Sequence, residues 1–330
     1  MAVTALGRGT REPVFRPRAQ AAVREPVSRG DAEATGDETA ALAPVAEEFT
    51  MVLGDGRAMG VRQWPGDGRD TLVFLHGLLD SAEGWDGLCS RLSGRRVAFD
   101  LAGFGNSDAP ERGSIAGYAR DVAEGLDALG IKRFTLVGHS LGGAVATALA
   151  EMRPAGVQAL ILLAPAGFGR IPLAEAISIP VLRNLAQAAM PVALSSRKMV
   201  TAGYKAMVAD HHDPSRDTVQ RILDRGPRLV NGAREGTRAV VEAGRALESS
   251  PRRRIAYAGP VFAVWGENDR LVPVSHRHAL RYAFPDAQIA VWSEMGHHPQ
   301  HERPDDLWKF VERARPARRL TPVRRARRAA

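Results

Sequence analysis

The chain is poor in the features that narrow function fastest. Cys89 is its only cysteine, which excludes an internal disulfide and any multi-cysteine metal centre. Within a helix following the His76 loop, Cys89 is expected to be a small packing residue and not a nucleophile. No segment approaches the roughly 20 consecutive apolar residues of a transmembrane helix; the longest apolar run, around Val157 to Ala166, reads as a strand. The arginine-bearing N-terminus lacks an apolar stretch ending in a small-residue cleavage site. No secretory signal is therefore legible, and a cytoplasmic protein is expected.

What is there suits a globular chain. Its 330 residues are 45% hydrophobic and 25% charged, long enough for one large domain or two ordinary ones. Lys plus Arg at 45 against Asp plus Glu at 37 gives a net charge of +8, and much of the excess sits in the tails. Residues 314–330, with Arg318-Arg319, Arg324-Arg325 and Arg327-Arg328, form a basic arm with almost no large apolar residue. It is expected to be a solvated, disordered tail; loose contact with nucleic acid or anionic membrane is the functional alternative.

Residues 1–45 lack hydrophobic periodicity and are expected to be disordered. From residue 46 the pattern changes. Phe49 to Leu53 and Ala58 to Trp64 flank a Gly-Asp-Gly turn as a hairpin would. Continuous apolar runs at 71–75, 96–99, 134–137 and 157–163 alternate with helical spacings at 115–129 and 141–152. That alternation predicts a mostly parallel central sheet flanked by helices, an α/β fold with right-handed crossovers. The first part of this core spans 46–164. It stops at 165–257, where several helices broken by Pro172, Pro180, Pro191, Pro214 and Pro227 are expected to form an inserted lid. Strand and helix alternate again over 258–313, the second part of the core.

Gly138-His139-Ser140-Leu141-Gly142 is a G-x-S-x-G motif between an apolar strand and an Ala-rich helix. A serine on so sharp a strand-to-helix turn has strained backbone angles, and glycines two before and two after it remove side chains that would collide with the flanking elements. The helix beginning at Leu141 aims its unpaired N–H groups at any oxyanion formed beside Ser140. Three further stretches matter: Leu75-His76-Gly77-Leu78, Asp100-Leu101-Ala102-Gly103-Phe104-Gly105, and the segments holding Asp269 and His297.

Taken in order, these four stretches resemble the α/β-hydrolase superfamily in its lid-bearing serine esterase and lipase-like branch. The resemblance implies a triad in the order Ser, acid, His, with Ser140 as nucleophile, Asp269 as acid and His297 as base. Trp265-Gly266-Glu267-Asn268-Asp269 through Pro273 matches the family's acid loop, with Glu267 and Asp286 as competing carboxylates. Gly296-His297-His298-Pro299-Gln300-His301-Glu302-Arg303-Pro304 matches its base loop, with His298 as the competing base. The oxyanion hole is implied at the backbone N–H groups of Leu78 and Leu141, and His76, Gly77, His139 and Phe168 are expected around the substrate. Ala102 replaces the family's usual proline, yet the loop glycines remain.

The chemistry so implied needs no cofactor and no metal. His211-His212-Asp213 and His276-Arg277-His278 lack helical metal-site spacing and read as solvated surface histidines. Methionines and branched residues in the insertion favour an apolar acyl or aromatic ester as the small-molecule substrate. Three other readings share the motifs: a carbon–carbon bond hydrolase, a cofactor-free perhydrolase or haloperoxidase, and a non-catalytic binder of this fold. The first usually has G-x-G-P-G where this chain has Leu78-Leu79-Asp80-Ser81. Haloalkane dehalogenases and most epoxide hydrolases place aspartate, not serine, at the elbow.

Overall fold

A computed structural model describes residues 15–16, 46–66, 71–209, 212–249 and 254–316. The expectations for the basic tail and for nearly all of residues 1–45 lie outside these residues. The exception is Phe15–Arg16 (β1), which pairs antiparallel with Met51 and Thr50, so this part of the N-terminal segment is a strand.

The hairpin is β2 (Glu47–Val52) and β3 (Ala58–Trp64), and the next strands are β4 (Thr71–Leu75) and β5 (Arg95–Phe99). Then come β6 (Phe134–His139), β7 (Val157–Leu163), β8 (Val261–Gly266) and β9 (Gln288–Trp292). They form one sheet in the order β1-β2-β3-β5-β4-β6-β7-β8-β9, antiparallel up to the β3/β5 pair and parallel beyond it.

Strand alternation splits the core into two layers. Val73, Leu75, Leu160 and Leu162 face one layer, whereas Leu72, Phe74, Ile161 and Leu163 face the other. Both sides of these strands are covered, which is why they read as continuous apolar runs instead of alternating ones. Helices α2 (Ile115–Ala128) and α3 (Leu141–Met152) cover the first face, and α1 (Asp86–Cys89) covers the second.

Between β7 and β8 run four helices: α4 (Pro172–Ser178), α5 (Pro180–Ser195), α6 (Arg197–Lys205) and α7 (Arg216–Ser249). Proline acts here in two ways. Pro172 and Pro180 open α4 and α5, where a missing N–H costs nothing. Pro191 and Pro227, expected to break helices, lie inside α5 and α7, and α7 continues for 34 residues. One lost backbone hydrogen bond costs a few kcal/mol, and α7 offsets it with packing against the sheet domain. At Gly232 its backbone sits on Gly103, and at Gly236 on Leu78 and Leu141. The fold closes with α8 (Arg277–Ala283), α9 (Pro299–Glu302) and α10 (Pro304–Ala314), whose Leu307, Phe310 and Val311 seal the second layer.

Strand order places the site. From β4 the chain moves outward to β5, then returns to the other side of β4 as β6, so the loops leaving β4 and β6 diverge at adjacent carboxyl ends. Such a switch point leaves a crevice where ligands bind in open α/β sheets. Leu75 is in register with Gly138, which sets Gly77 and Leu78 beside Ser140. The approach is close enough that a Cβ on Gly142 would lie 2.3 Å from the Leu75 carbonyl oxygen and 2.5 Å from that of His76. Because the obstacle is backbone, it cannot rotate away. Gly142→Ala is expected to cost roughly 3 kcal/mol or more, measured as a drop in denaturant midpoint without a change in m-value.

Candidate active site

Ser140 joins β6 to α3 with φ 52° and ψ −115°, a backbone conformation costing a non-glycine residue about 1–3 kcal/mol. Its neighbours hold it there. The Ser140 N–H donates to the Leu163 carbonyl at 2.9 Å, and its own carbonyl accepts from Ala166 at 3.0 Å and Gly143 at 2.9 Å. A Cβ on Gly138 would lie 2.4 Å from the Gly142 carbonyl oxygen, and one on Gly143 would lie 2.6 Å from Pro165. Leu141 opens the 12-residue α3, so its N–H has no acceptor within the helix and points toward the elbow. Opposite, Gly77 is so near that a Cβ there would stand 3.3 Å from the Cβ of Ser140.

Of the three carboxylates in question, Asp269 is the one that meets His297. Asp269, with a fully buried side chain, accepts a 2.7 Å hydrogen bond at Oδ2 from Nδ1 of His297. Its Oδ1 accepts from the N–H groups of Leu271 and Val272, each at 2.9 Å. A carboxylate bound this way leaves Nδ1 of His297 as donor and Nε2 as the acceptor. Glu267 and Asp286 are exposed. His298, the competing imidazole, stacks on Tyr204 at 5.1 Å instead of meeting Asp269.

His297 is also fixed by its backbone: its N–H donates to the Met207 carbonyl at 2.9 Å, and its carbonyl accepts from Nε2 of His139 at 2.8 Å. The residue preceding the elbow serine thereby clamps the base loop. Glu302 does the rest. One of its carboxylate oxygens accepts from Gly296 at 2.7 Å and Ala209 at 2.9 Å, and the other from His298 at 2.9 Å. Glu302 is the E of the base-loop pattern, but its partner in the insertion, Ala209, carries no signal in the sequence.

Of the four expected pocket residues, Gly77 lies beside Ser140, whereas His76, His139 and Phe168 face elsewhere. His76 is fully buried, donating from Nδ1 to the Gly77 carbonyl and accepting at Nε2 from Leu101, so it ties the β4 loop to the β5 loop. His139 is equally enclosed and faces backbone. Gly77 is pressed against the His139 ring, with room for no side chain. Phe168 packs toward Phe284 and lines a separate groove against α3. His276, expected in solvent, is buried and bonded to the Arg170 carbonyl at 3.2 Å; His211 lies outside the described residues.

A cavity of about 310 Å³ is bounded by Leu78, Met190, Leu194, Met199, Met207, Ile222 and Leu229, with Asp80, Tyr204, Arg221, Arg225, His298 and His301 among its polar walls. The hydroxyl of Tyr204 and Nε2 of His298 have no hydrogen-bond partner. Ser140 does not itself border this space; Leu78 and His298 connect the two. The Asp100 loop supports the wall from behind: its carboxylate accepts from Ala82 at 2.7 Å and Asn106 at 2.8 Å. Replacement of proline by Ala102 leaves this turn in place, with Gly103 and Gly105 at φ 88° and 54°.

Burial holds His139 and His298 well below the ordinary imidazole value of 6.5, and His301 at about 4. These rings are neutral when folded and gain protons on unfolding at acid pH, so the unfolded state binds more protons and stability falls as pH drops. Stability should be full above pH 6.5 and decline as pH falls, by on the order of 2 kcal/mol per ring at pH 5, read from denaturant midpoints across that range. Glu302→Ala strands three buried N–H groups and should cost about 3 kcal/mol or more, read in the same way.

The family model for the alpha/beta hydrolase fold matches residues 70–304. A 2-hydroxy-6-oxo-6-phenylhexa-2,4-dienoate hydrolase of Comamonas testosteroni is 30% identical over 252 residues, covering 72% of this chain and 85% of its own. An sn-1-specific diacylglycerol lipase of Mus musculus is 25% identical over 290 residues, covering 87% and 90%. The crystal structure of the enol-lactonase from Burkholderia xenovorans LB400 superposes with a TM-score of 0.65 at 22% identity, over 78% of this chain and 96% of that one. With the strand order, the serine elbow and the matched model in agreement, the chain belongs to the α/β-hydrolase family and is a hydrolase.

Proposed function

We propose that this hydrolase cleaves carboxylic esters of apolar acyl or aromatic groups through an acyl-enzyme on Ser140. The observation that carries the reading is the bond from Nδ1 of His297 to Asp269, made beside a strained elbow that carries serine. A serine hydroxyl is a weak nucleophile at neutral pH and needs an adjacent oriented base. In this reading Ser140 Oγ attacks the ester carbonyl while Nε2 of His297 takes its proton. The tetrahedral oxyanion is held by the N–H groups of Leu78 and Leu141, each worth about 3 kcal/mol. Collapse expels the alcohol, which takes the proton from His297. Water then adds to the acyl carbon through the same base and frees the acid and Ser140. Asp269 keeps the imidazole in its useful tautomer and stabilises the imidazolium.

In the same reading α4 to α7 act as a lid, and the cavity behind Leu78 is the acyl pocket. Its methionines and leucines suit flexible apolar chains, and its charged walls, Asp80, Arg221 and Arg225, are a minority of the lining. Leu78 belongs to both features of this reading: it walls the cavity, and its N–H would donate to the oxyanion. Carbon–carbon hydrolysis is the second reading, favoured by the 30% identity to the Comamonas testosteroni enzyme. Rates on p-nitrophenyl esters against ring-cleavage dienoates separate the two.

Ser140→Ala is expected to abolish ester turnover and labelling by a fluorophosphonate probe, with the unfolding midpoint unchanged or raised because backbone strain at Ser140 persists for either side chain. Asp269→Asn should lower kcat by about 10²–10⁴-fold with KM little altered. Full turnover in Ser140→Ala would remove the acyl-enzyme from consideration.

A further inference from the structure

Among the described residues ten large hydrophobic side chains are exposed, and seven of them lie between Leu173 and Met199. On α5 they make a stripe: Val181, Leu185 and Val192 occur at i, i+4 and i+11, one face of a helix, with exposures of 76%, 66% and 67%. The opposite side of α5 faces α7, where Gly226 lies against the Leu194 carbonyl. Helix α5 is therefore apolar on both sides while only one is covered. A helix of that composition is ordinarily enclosed, and isolated exposed hydrophobics need no explanation whereas a contiguous set does.

Charge indicates what covers it. Residues 176–209 contain Arg183, Arg197, Lys198 and Lys205 and no aspartate or glutamate. Arg183 has no carboxylate partner among the described residues. It borders a groove of about 430 Å³ between α5 and α7, whose apolar floor includes Ile177 and Val230 and whose rim carries Arg234 and Arg238, both paired with Glu235, and Arg245, paired with Glu175. Glu242, the one carboxylate of that rim, is paired with Arg112. Lys205 pairs with Asp213, so a second copy of this chain, docked face to face, would set Arg183, Arg197 and Lys198 against the same three cations.

We propose that the outer face of α5, flanked by α4 and α6, seats the protein on an anionic lipid bilayer. The stripe enters the acyl boundary and the arginines and lysines meet lipid phosphates, as in helices that lie in the interface plane. The geometry favours lying in the interface over spanning. α4 and α5 are together long and apolar, yet they meet at 95°. At 16 residues and about 1.5 Å per residue, α5 alone is shorter than the roughly 30 Å hydrocarbon core. Met190 borders both the groove and the cavity behind Leu78, so an amphiphile drawn between α5 and α7 passes from bilayer to pocket. That delivery route rests on the proposed ester hydrolysis; the seating does not.

The test uses the full chain carrying Ser140→Ala, so that binding is read without turnover, sedimented with phosphatidylcholine vesicles with or without phosphatidylglycerol. Binding should be at least about tenfold tighter with phosphatidylglycerol and weaken with salt. Adding Val181→Asp and Leu185→Asp should weaken it by about tenfold or more with no change in thermal midpoint. The same pair in the Ser140 chain should leave hydrolysis of a soluble short ester unaltered. Undiminished vesicle binding by the double variant overturns the proposal and passes the role to another segment, the basic tail included. An oligomer in solution that the double variant converts to monomer overturns it equally, since a second copy would then cover the stripe. Loss of ester turnover in the otherwise wild-type chain would bear on the ester reading and leave the seating intact.

Discussion

Backbone-to-backbone contact where β4 and β6 end governs the site. Leu75 and Gly138 share a register position, and α3 starts so close to the end of β4 that Gly142 has no room for a methyl group. This contact forces the chain through positive φ at Ser140, puts the first turn of α3 against the elbow, and sets Gly77 and Leu78 on its far side. Loosening it by an ångström would affect the elbow, the N–H groups of Leu78 and Leu141 and the wall of the cavity together, because all are parts of one packed unit. Interiors packed to crystalline density transmit such shifts instead of absorbing them.

The base loop is held from three directions. Asp269 orients the imidazole, His139 fixes the His297 carbonyl, and Met207 fixes its N–H. Glu302 binds this loop and the insertion with one carboxylate, joining Gly296, His298 and Ala209. The insertion is consequently more than a cover. Its Met207 to Ala209 turn presses on Gly296, where a Cβ would lie 2.7 Å from the Met207 carbonyl oxygen. Movement of α6 is thus mechanically linked to the position of His297, and the same helices carry both the apolar stripe outside and the methionine-lined cavity inside.

Much of this was legible from residue order. Strand limits at β7 and β9 and helix limits at α3 follow directly from apolar runs bounded by turn residues. The insertion was harder. Proline usually ends a helix because of local sterics and a lost donor, so Pro191 and Pro227 read as breaks. In the folded chain tertiary packing outweighs that local cost, and α7 runs unbroken over the sheet domain. His76 and His139 misled for a related reason: proximity in sequence to the oxyanion and nucleophile positions says nothing about which way a ring turns, and both turn toward backbone.

By itself the sequence determined the alternation of strand and helix and the serine between its glycines, since each depends on local sterics or on spacing of a few residues. Only the tertiary structure decided that Asp269 and not Glu267 or Asp286 meets His297, that Glu302 and His139 lock the base loop, and that Met190, Met199 and Met207 share one cavity. Those outcomes depend on contacts between residues tens to hundreds of positions apart, whose pairing is set by sheet order and by how α4 to α7 fold back, and no local pattern encodes that distance.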